Sequence, residues 1–264
     1  MSRNPYGRLT AALLISALVA GACTSSPQRA TSSAVSSSRG PSSPSSATAT
    51  PPAATASSPR IDPTNFVETV DNPYLPFIAG TTFVYEGTRD GKSQRDEVVV
   101  TSQKKVILGV PCVVVKDTAT HDGALLEQTD DWYAQDREGN VWYFGEDTKE
   151  YENGKVVSTE GSWQSGVDGA QPGIVMPAHP EVTNSFRQEY YTGHAEDMFW
   201  IVSLGESVAV PYGPFSNALL TLEWTRLEPK VIDKKFYASG IGLVLEASAS
   251  GPNERAGLVS IAKP

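Results

Sequence analysis

Apolar and polar residues alternate along most of this chain. Between residues 94 and 105, Glu97, Val99 and Thr101 share one face, while Val98 and Val100 share the other, which is the period of a strand. The same reading picks out strands over residues 81–86, 112–116, 125–135, 141–144 and 156–160, then over 185–192, 198–204, 207–210, 219–227, 231–238 and 243–247. Turn formers separate them: Asp90-Gly91, Asp122-Gly123, Gly139-Asn140, Asn153-Gly154, Gly205, Pro211-Tyr-Gly213, Glu228-Pro229 and Ser239-Gly240. Connections this short join antiparallel neighbours, because parallel strands need a crossover of about a dozen residues. The expected fold is all-β: a single antiparallel meander of about ten to twelve strands, closed or half-closed into a barrel.

Two stretches interrupt the alternation. At residues 62–70, Asp62-Pro63 is a helix-start signature and Asp71-Asn-Pro73 a stop, so one short N-terminal helix is expected. Residues 161–183 are rich in Gly and Pro yet hold Trp163, Ile174, Val175 and Met176. A long connection of this kind is read as a flap, either a lid over a site or a plug in one end of the barrel.

Ahead of the β-domain the composition changes twice. Arg3 and Arg8 precede an apolar run from Leu9 to Ala20 and the small residues Gly21-Ala22-Cys23, the charge order and length of a signal peptide. Ala20-Gly21-Ala22-Cys23 resembles a bacterial lipobox, with Ala20 where that motif has Leu. The resemblance implies cleavage after residue 22 and lipid attachment, a palmitate-type acylation, at Cys23. Residues 24–60 are mostly Ser, Thr, Ala and Pro with no acid and no aromatic, a composition that cannot bury enough apolar surface to order itself. The expected organisation is a signal peptide at 1–22, a lipid-anchored disordered linker at 23–60 spanning about 33 Å, and a β-domain at 61–264. The expected place is the extracytoplasmic face of the cell membrane.

All 30 acidic residues and 16 of the 21 basic ones follow residue 60, a net charge of −14 for that part. Such a surface argues against nucleic acid, which demands clustered Lys and Arg. Cys112, within Val110-Pro-Cys-Val-Val-Val115, has only Cys23 as a partner candidate and reads as a buried small hydrophobe.

The candidate chemistries are sparse. No Gly-x-Ser-x-Gly elbow occurs, and His121, His179 and His194 have no metal-ligand spacing. The oxygen-rich Asp136-Arg-Glu138-Gly139-Asn140 lacks the order of an EF-hand loop, and a strand-connecting turn explains the same residues. No catalytic residue, metal ligand or cofactor is therefore assigned. A glycan hydrolase would need carboxylates facing each other across a cleft, and one of Glu146 or Asp147 with one of Glu196 or Asp197 is the available combination. Alternation sets Trp142 and Phe144 on one face and Tyr143 on the other, with Trp132 opposing Tyr133 and Phe199 opposing Trp200. Aromatics on both faces suggest that one fills a core and the other meets something else. Trp132, Trp142, Phe144, Trp163, Met176 and Tyr190 are the expected ligand-binding residues.

Several stretches together resemble a widespread family of secreted or lipid-anchored bacterial β-rich proteins of actinobacterial type. They are Asp71-Asn-Pro-Tyr-Leu-Pro-Phe77 with Ala79-Gly-Thr-Thr-Phe-Val-Tyr-Glu-Gly87, Asp131-Trp-Tyr-Ala-Gln-Asp136, Gly139-Asn-Val-Trp-Tyr-Phe-Gly-Glu-Asp147, Gly173-Ile-Val-Met-Pro177 and Tyr237-Ala-Ser-Gly-Ile-Gly-Leu-Val244. The resemblance carries no activity with it. The last stretch is also similar to the final strands of curved single-sheet envelope proteins that hold apolar ligands, an analogy of fold alone. The expectation is a monomeric surface lipoprotein whose β-domain binds an apolar, glycan or protein ligand without catalysis. An envelope-glycan hydrolase and a structural or adhesive module are the alternatives.

Overall fold

The computed structural model describes residues 61–264. The expected signal peptide, the expected linker and the expected attachment site at Cys23 lie outside the described residues. Within them the chain forms sixteen strands. The first six are β1 (Phe66–Val67), β2 (Thr82–Arg89), β3 (Lys92–Ile107), β4 (Val110–His121), β5 (Ala124–Asp136) and β6 (Val141–Glu152). Four short ones follow: β7 (Lys155–Ser158), β8 (Trp163–Gln164), β9 (Gln171–Met176) and β10 (Ser185–Arg187). The rest are β11 (Glu189–Tyr190), β12 (Asp197–Val210), β13 (Gly213–Thr225), β14 (Ile232–Ala238), β15 (Gly242–Ser250) and β16 (Glu254–Ala262).

The meander runs β2 to β6 and β12 to β16, and β16 returns to pair with β2, Leu258 opposite Tyr85. All pairings are antiparallel, and the sheet curls into a barrel with one seam, between β9 and β12. Hairpin chemistry explains much of the path. Asp90-Gly91, Asp122-Gly123 and Asn153-Gly154 all take positive φ at both positions, the I′ turn that matches strand twist. Leu108-Gly109 does the same, with Leu108 at φ 50. Gly109 suits that position, but Leu108 gives no turn signal, and the long β3–β4 hairpin is therefore less visible in sequence than the others.

The expected N-terminal helix is only a 3-10 turn, Pro63–Asn65, capped by the Asp62 carboxylate, which accepts from the Thr64 N–H at 3.0 Å. Phe66 and Val67 then pair with Asp136 and Gln135 as β1. Phe66 makes edge contacts with Phe144 at 5.5 Å and Trp142 at 6.2 Å, so burial of its ring and sheet pairing outcompete helical continuation.

The flap at 161–183 supplies β8 and β9 to the edge of β6. Trp163, Val175 and Met176 join the main core. The seam is bridged by β10 and β11, a single run of chain: β10 pairs with β12 and β11 with β9. Gly173 is required there, because a Cβ at this position would lie 2.1 Å from the Arg187 carbonyl oxygen. Gly173→Ala is expected to push the strap off β9 and lower stability by about 1–3 kcal/mol, measured by urea unfolding; an unchanged midpoint would remove this account of the seam.

Candidate functional site

The barrel interior changes character along its axis. On β3 the inward residues run Val100, Val98, then Asp96 and Gln94; on β4 they run Val113, Val115, then Asp117 and His121. On β5 Tyr133 gives way to Asp131, Thr129 and Glu127, and on β13 Leu219 gives way to Thr221 and Glu223. One end is thus apolar, plugged by Val70, Leu75 and Phe77, with Phe77 packed 4.7 Å from the Tyr133 ring. Gln135 fixes that plug by accepting from the Asp71 and Asn72 N–H groups and donating to Asp71 at 2.7 Å.

The other end is acidic. Nine inward carboxylates are buried there: Asp96, Asp117, Glu127, Asp131 and Glu146 on β3 to β6, then Glu189, Asp197, Glu223 and Glu246. Two cations are buried with them. Lys235 pairs with Glu223 at 3.0 Å, and Arg89 with Glu254 at 2.9 Å. Glu223 is well served, accepting also from Thr221 at 2.9 Å, Gln188 at 3.2 Å and Tyr237 at 3.2 Å. Burial opposes the charge of Lys235, but Glu223 and Glu246 prevail and hold its pKa above the ordinary lysine value. The remaining carboxylates have too few donors. Asp96 Oδ1, Glu127 Oε2, Glu146 Oε1 and Asp197 Oδ1 have no hydrogen-bond partner.

Burial is the leading reason these acids hold their protons, and mutual repulsion adds to it. Asp96 is pushed up to about 8, and Glu127 and Asp131 to about 7. Glu146, Glu189, Asp197 and Glu246 are raised well above the ordinary carboxylate range. The space between Asp197, Glu223, Asp233 and Lys235 is about 10 Å³, room for about one water. Among the described residues no three Asp, Glu, His or Cys groups are arranged to hold a metal ion. The acidic end is therefore a compact, proton-bearing layer.

A larger space lies at the apolar end. A groove of about 360 Å³ is lined by Pro76, Ile78, Phe83, Ile241 and Ile261, with Lys263 supplying the one charged side chain beside Thr81 and Pro264. Loop 71–81 supplies one wall, and the Ser239-Gly240 turn and β16 supply the other.

The residues singled out from sequence fall in three places. Trp132, Trp142 and Phe144 come together on the outer face of β5 and β6, in a second core with Cys112 that Ile61 and Phe66 cover. Lys105 sits 3.1 Å above the Trp132 ring. Trp163 and Met176 belong to the main core instead, Trp163 meeting Tyr143 edge-on at 5.4 Å. Tyr190 lies apart from both groups at the seam, with Arg187 4.1 Å from its ring. Cys112 is buried, and burial pushes its thiol up to about 12, which makes it an inert packing group.

Of the paired acids, Glu146 and Asp197 do face the same interior, while Asp147 points out to Lys149 at 2.8 Å. Glu196 is held by Arg226 at 2.6 Å. Glu146 and Asp197 are 3% and 6% exposed, so no sugar ring fits against them in this structure. The oxygen-rich turn after β5 is a structural cap. Asp136 accepts from the Glu138 and Asn140 N–H groups, the Asn140 amide and, at 2.8 Å, Trp142 Nε1.

Fold and site together define an antiparallel barrel with an acidic interior at one end and an apolar groove at the other. Among solved structures, the chain is similar to a Bacteroides fragilis protein with a YmcC-like fold, considered exported, at 17% identity and a TM-score of 0.39. It is also similar to a Parabacteroides distasonis protein considered a lipoprotein, at 12% identity and a TM-score of 0.39. Each likeness covers 72% of this chain and 99% of the other, and neither bears on what this chain does. No protein-family model matches the sequence, and no curated protein does.

Proposed function

We propose that the protein is a membrane-tethered, extracytoplasmic β-barrel that binds the hydrocarbon part of an acidic amphiphile in the groove at its apolar end. The groove is the observation that carries this reading. Its volume of about 360 Å³ falls within the range of ligand sites, and apolar walls with few polar groups are their usual lining. Lys263 supplies a local cation for an acidic headgroup. The domain as a whole is strongly acidic, so that attraction acts over short range and is screened by salt. The signal sequence, the lipobox-like Cys23 and the linker support tethering of a monomer to the bilayer, with the groove held within reach of amphiphiles. The absence of a recognisable catalytic motif in the sequence and the close packing around Glu146 and Asp197 favour binding over glycan hydrolysis.

A dansyl-labelled long-chain fatty acid provides a direct probe. The full-length protein is expected to bind it, Ile241→Trp to fill the groove and abolish binding, and Lys263→Ala to weaken the acid while leaving the matching long-chain alcohol unchanged. Equal binding by wild type and Ile241→Trp, or none by either, would end this reading.

A further inference from the structure

The seam is closed by a strap of six residues, 185–190. It pairs with β12 at three positions and with β9 at two, so its local opening free energy is low compared with that of the long hairpins. Yet the strap inserts a carboxylic acid into the interior. Glu189 is fully buried, and Gln188 beside it is 2% exposed.

The groups nearest Glu189 are the carboxyls of Asp197 and Glu146, with the Trp163 indole of β8 and the Asp197 backbone N–H turned toward it as donors. From β6 comes Glu146, bonded by Thr148 at 2.9 Å. Behind Glu146, on β5, lie Glu127 and Asp131, the latter accepting from the Tyr143 hydroxyl at 2.7 Å. β12 supplies Asp197, whose carbonyl accepts from the Gln188 N–H at 2.8 Å. β13 and β14 supply Glu223 and Lys235, already paired with each other, with Asp233 beyond them.

Acceptors outnumber donors here. Glu146 Oε1, Asp197 Oδ1 and Gln188 Oε1 are all buried without a hydrogen-bond partner. An ionised carboxylate can only accept, whereas a protonated one also donates. Protons on Glu189 and its neighbours therefore remove like charges and supply missing donors at once. No other cation is needed, and the tight packing leaves little room for one.

We propose that the strap at residues 185–190 is a proton-held latch: it stays seated while Glu189 and the facing carboxyls are neutral, and it leaves the seam when they ionise. Its release would separate β9 from β12 and open the acidic interior to the outside, whereas the groove at the apolar end does not depend on it.

Hydrogen exchange read by mass spectrometry on the full-length protein tests this at about pH 5.5 and about pH 8.5, after correction for the intrinsic exchange rate. The expected result is a loss of strap protection of about tenfold or more at the higher pH, with the β3–β4 hairpin still protected. Glu189→Gln, which is neutral at both pH values, is expected to keep the strap closed and remove most of the pH dependence. Glu146→Gln is expected to reduce it. The latch is overturned if strap protection does not change with pH, if Glu189→Gln retains the wild-type loss, or if strap and hairpin lose protection together.

Discussion

The domain is expected to melt on the order of 10 °C higher at about pH 5.5 than at about pH 8.5. Most proteins lose stability in acid because their carboxylates are ionised and satisfied when folded. Here the sign is reversed. Asp96 holds its proton up to about 8, and Glu127 and Asp131 up to about 7, whereas in the unfolded chain these groups ionise near their ordinary values of about 4. Between those limits the folded state binds more protons than the unfolded one, so stability falls as pH rises. The favourable contribution is fully present below about 4 and is lost progressively up to about 8. Several such groups acting together make a change of a few kcal/mol, and each kcal/mol moves the midpoint of a domain of this size by about 2–4 °C. Calorimetry across this pH window checks the sign; a midpoint that climbs with pH would refute the proton-loaded interior.

Lys235→Met is expected to destabilise the domain by about 3–5 kcal/mol, the cost of leaving one partner of a buried ion pair alone. Lys235 is 1% exposed, and its ammonium lies 3.0 Å from Glu223. Without it, the interior loses one of its two buried cations, and Glu223 is left without its ion-pair partner. Lys235→Met with Glu223→Gln removes both charges, keeps an acceptor oxygen for Thr221 and Tyr237, and offers an amide donor to Gln188 Oε1, which has no partner in the wild type. The double variant is expected to recover more than half of the loss, because neutral groups of similar shape are tolerated where a lone charge is not. Urea unfolding at about pH 7 separates the two cases. Equal loss in both variants would show that Lys235 matters for packing rather than for charge.

Strand period and turn chemistry were enough to read the barrel. Trp142 and Phe144 do lie opposite Tyr143, and Trp132 opposite Tyr133, because alternation is a geometric property of the strand. Two-residue strands such as β1 and β8 were less legible. They exist through tertiary pairing, and a segment that short has no period to detect. The acidic interior was hidden for a different reason. Asp96-x-Val98-x-Val100 and Leu219-x-Thr221-x-Glu223 do carry a period-two signal that continues one face from apolar to acidic. A carboxylate in a strand is ordinarily solvent-facing, so the default assignment turns such residues outward. Only the closure of the barrel, with Glu189 brought in from the strap, puts all nine acids in one space. The groove was illegible as well, since Pro76, Ile241 and Ile261 are far apart in sequence and meet only because β16 pairs with β2 beside the plug loop.

The barrel's two ends have separate roles in this account, a proton-bearing layer that governs closure and an apolar groove that binds. Binding is the central claim, and native mass spectrometry of the protein purified from the cells that produce it addresses it most directly. The account predicts an added mass that organic extraction identifies as an acidic amphiphile, present on wild type and absent from Ile241→Trp. A bare protein mass for both, or the same adduct on Ile241→Trp, would contradict it.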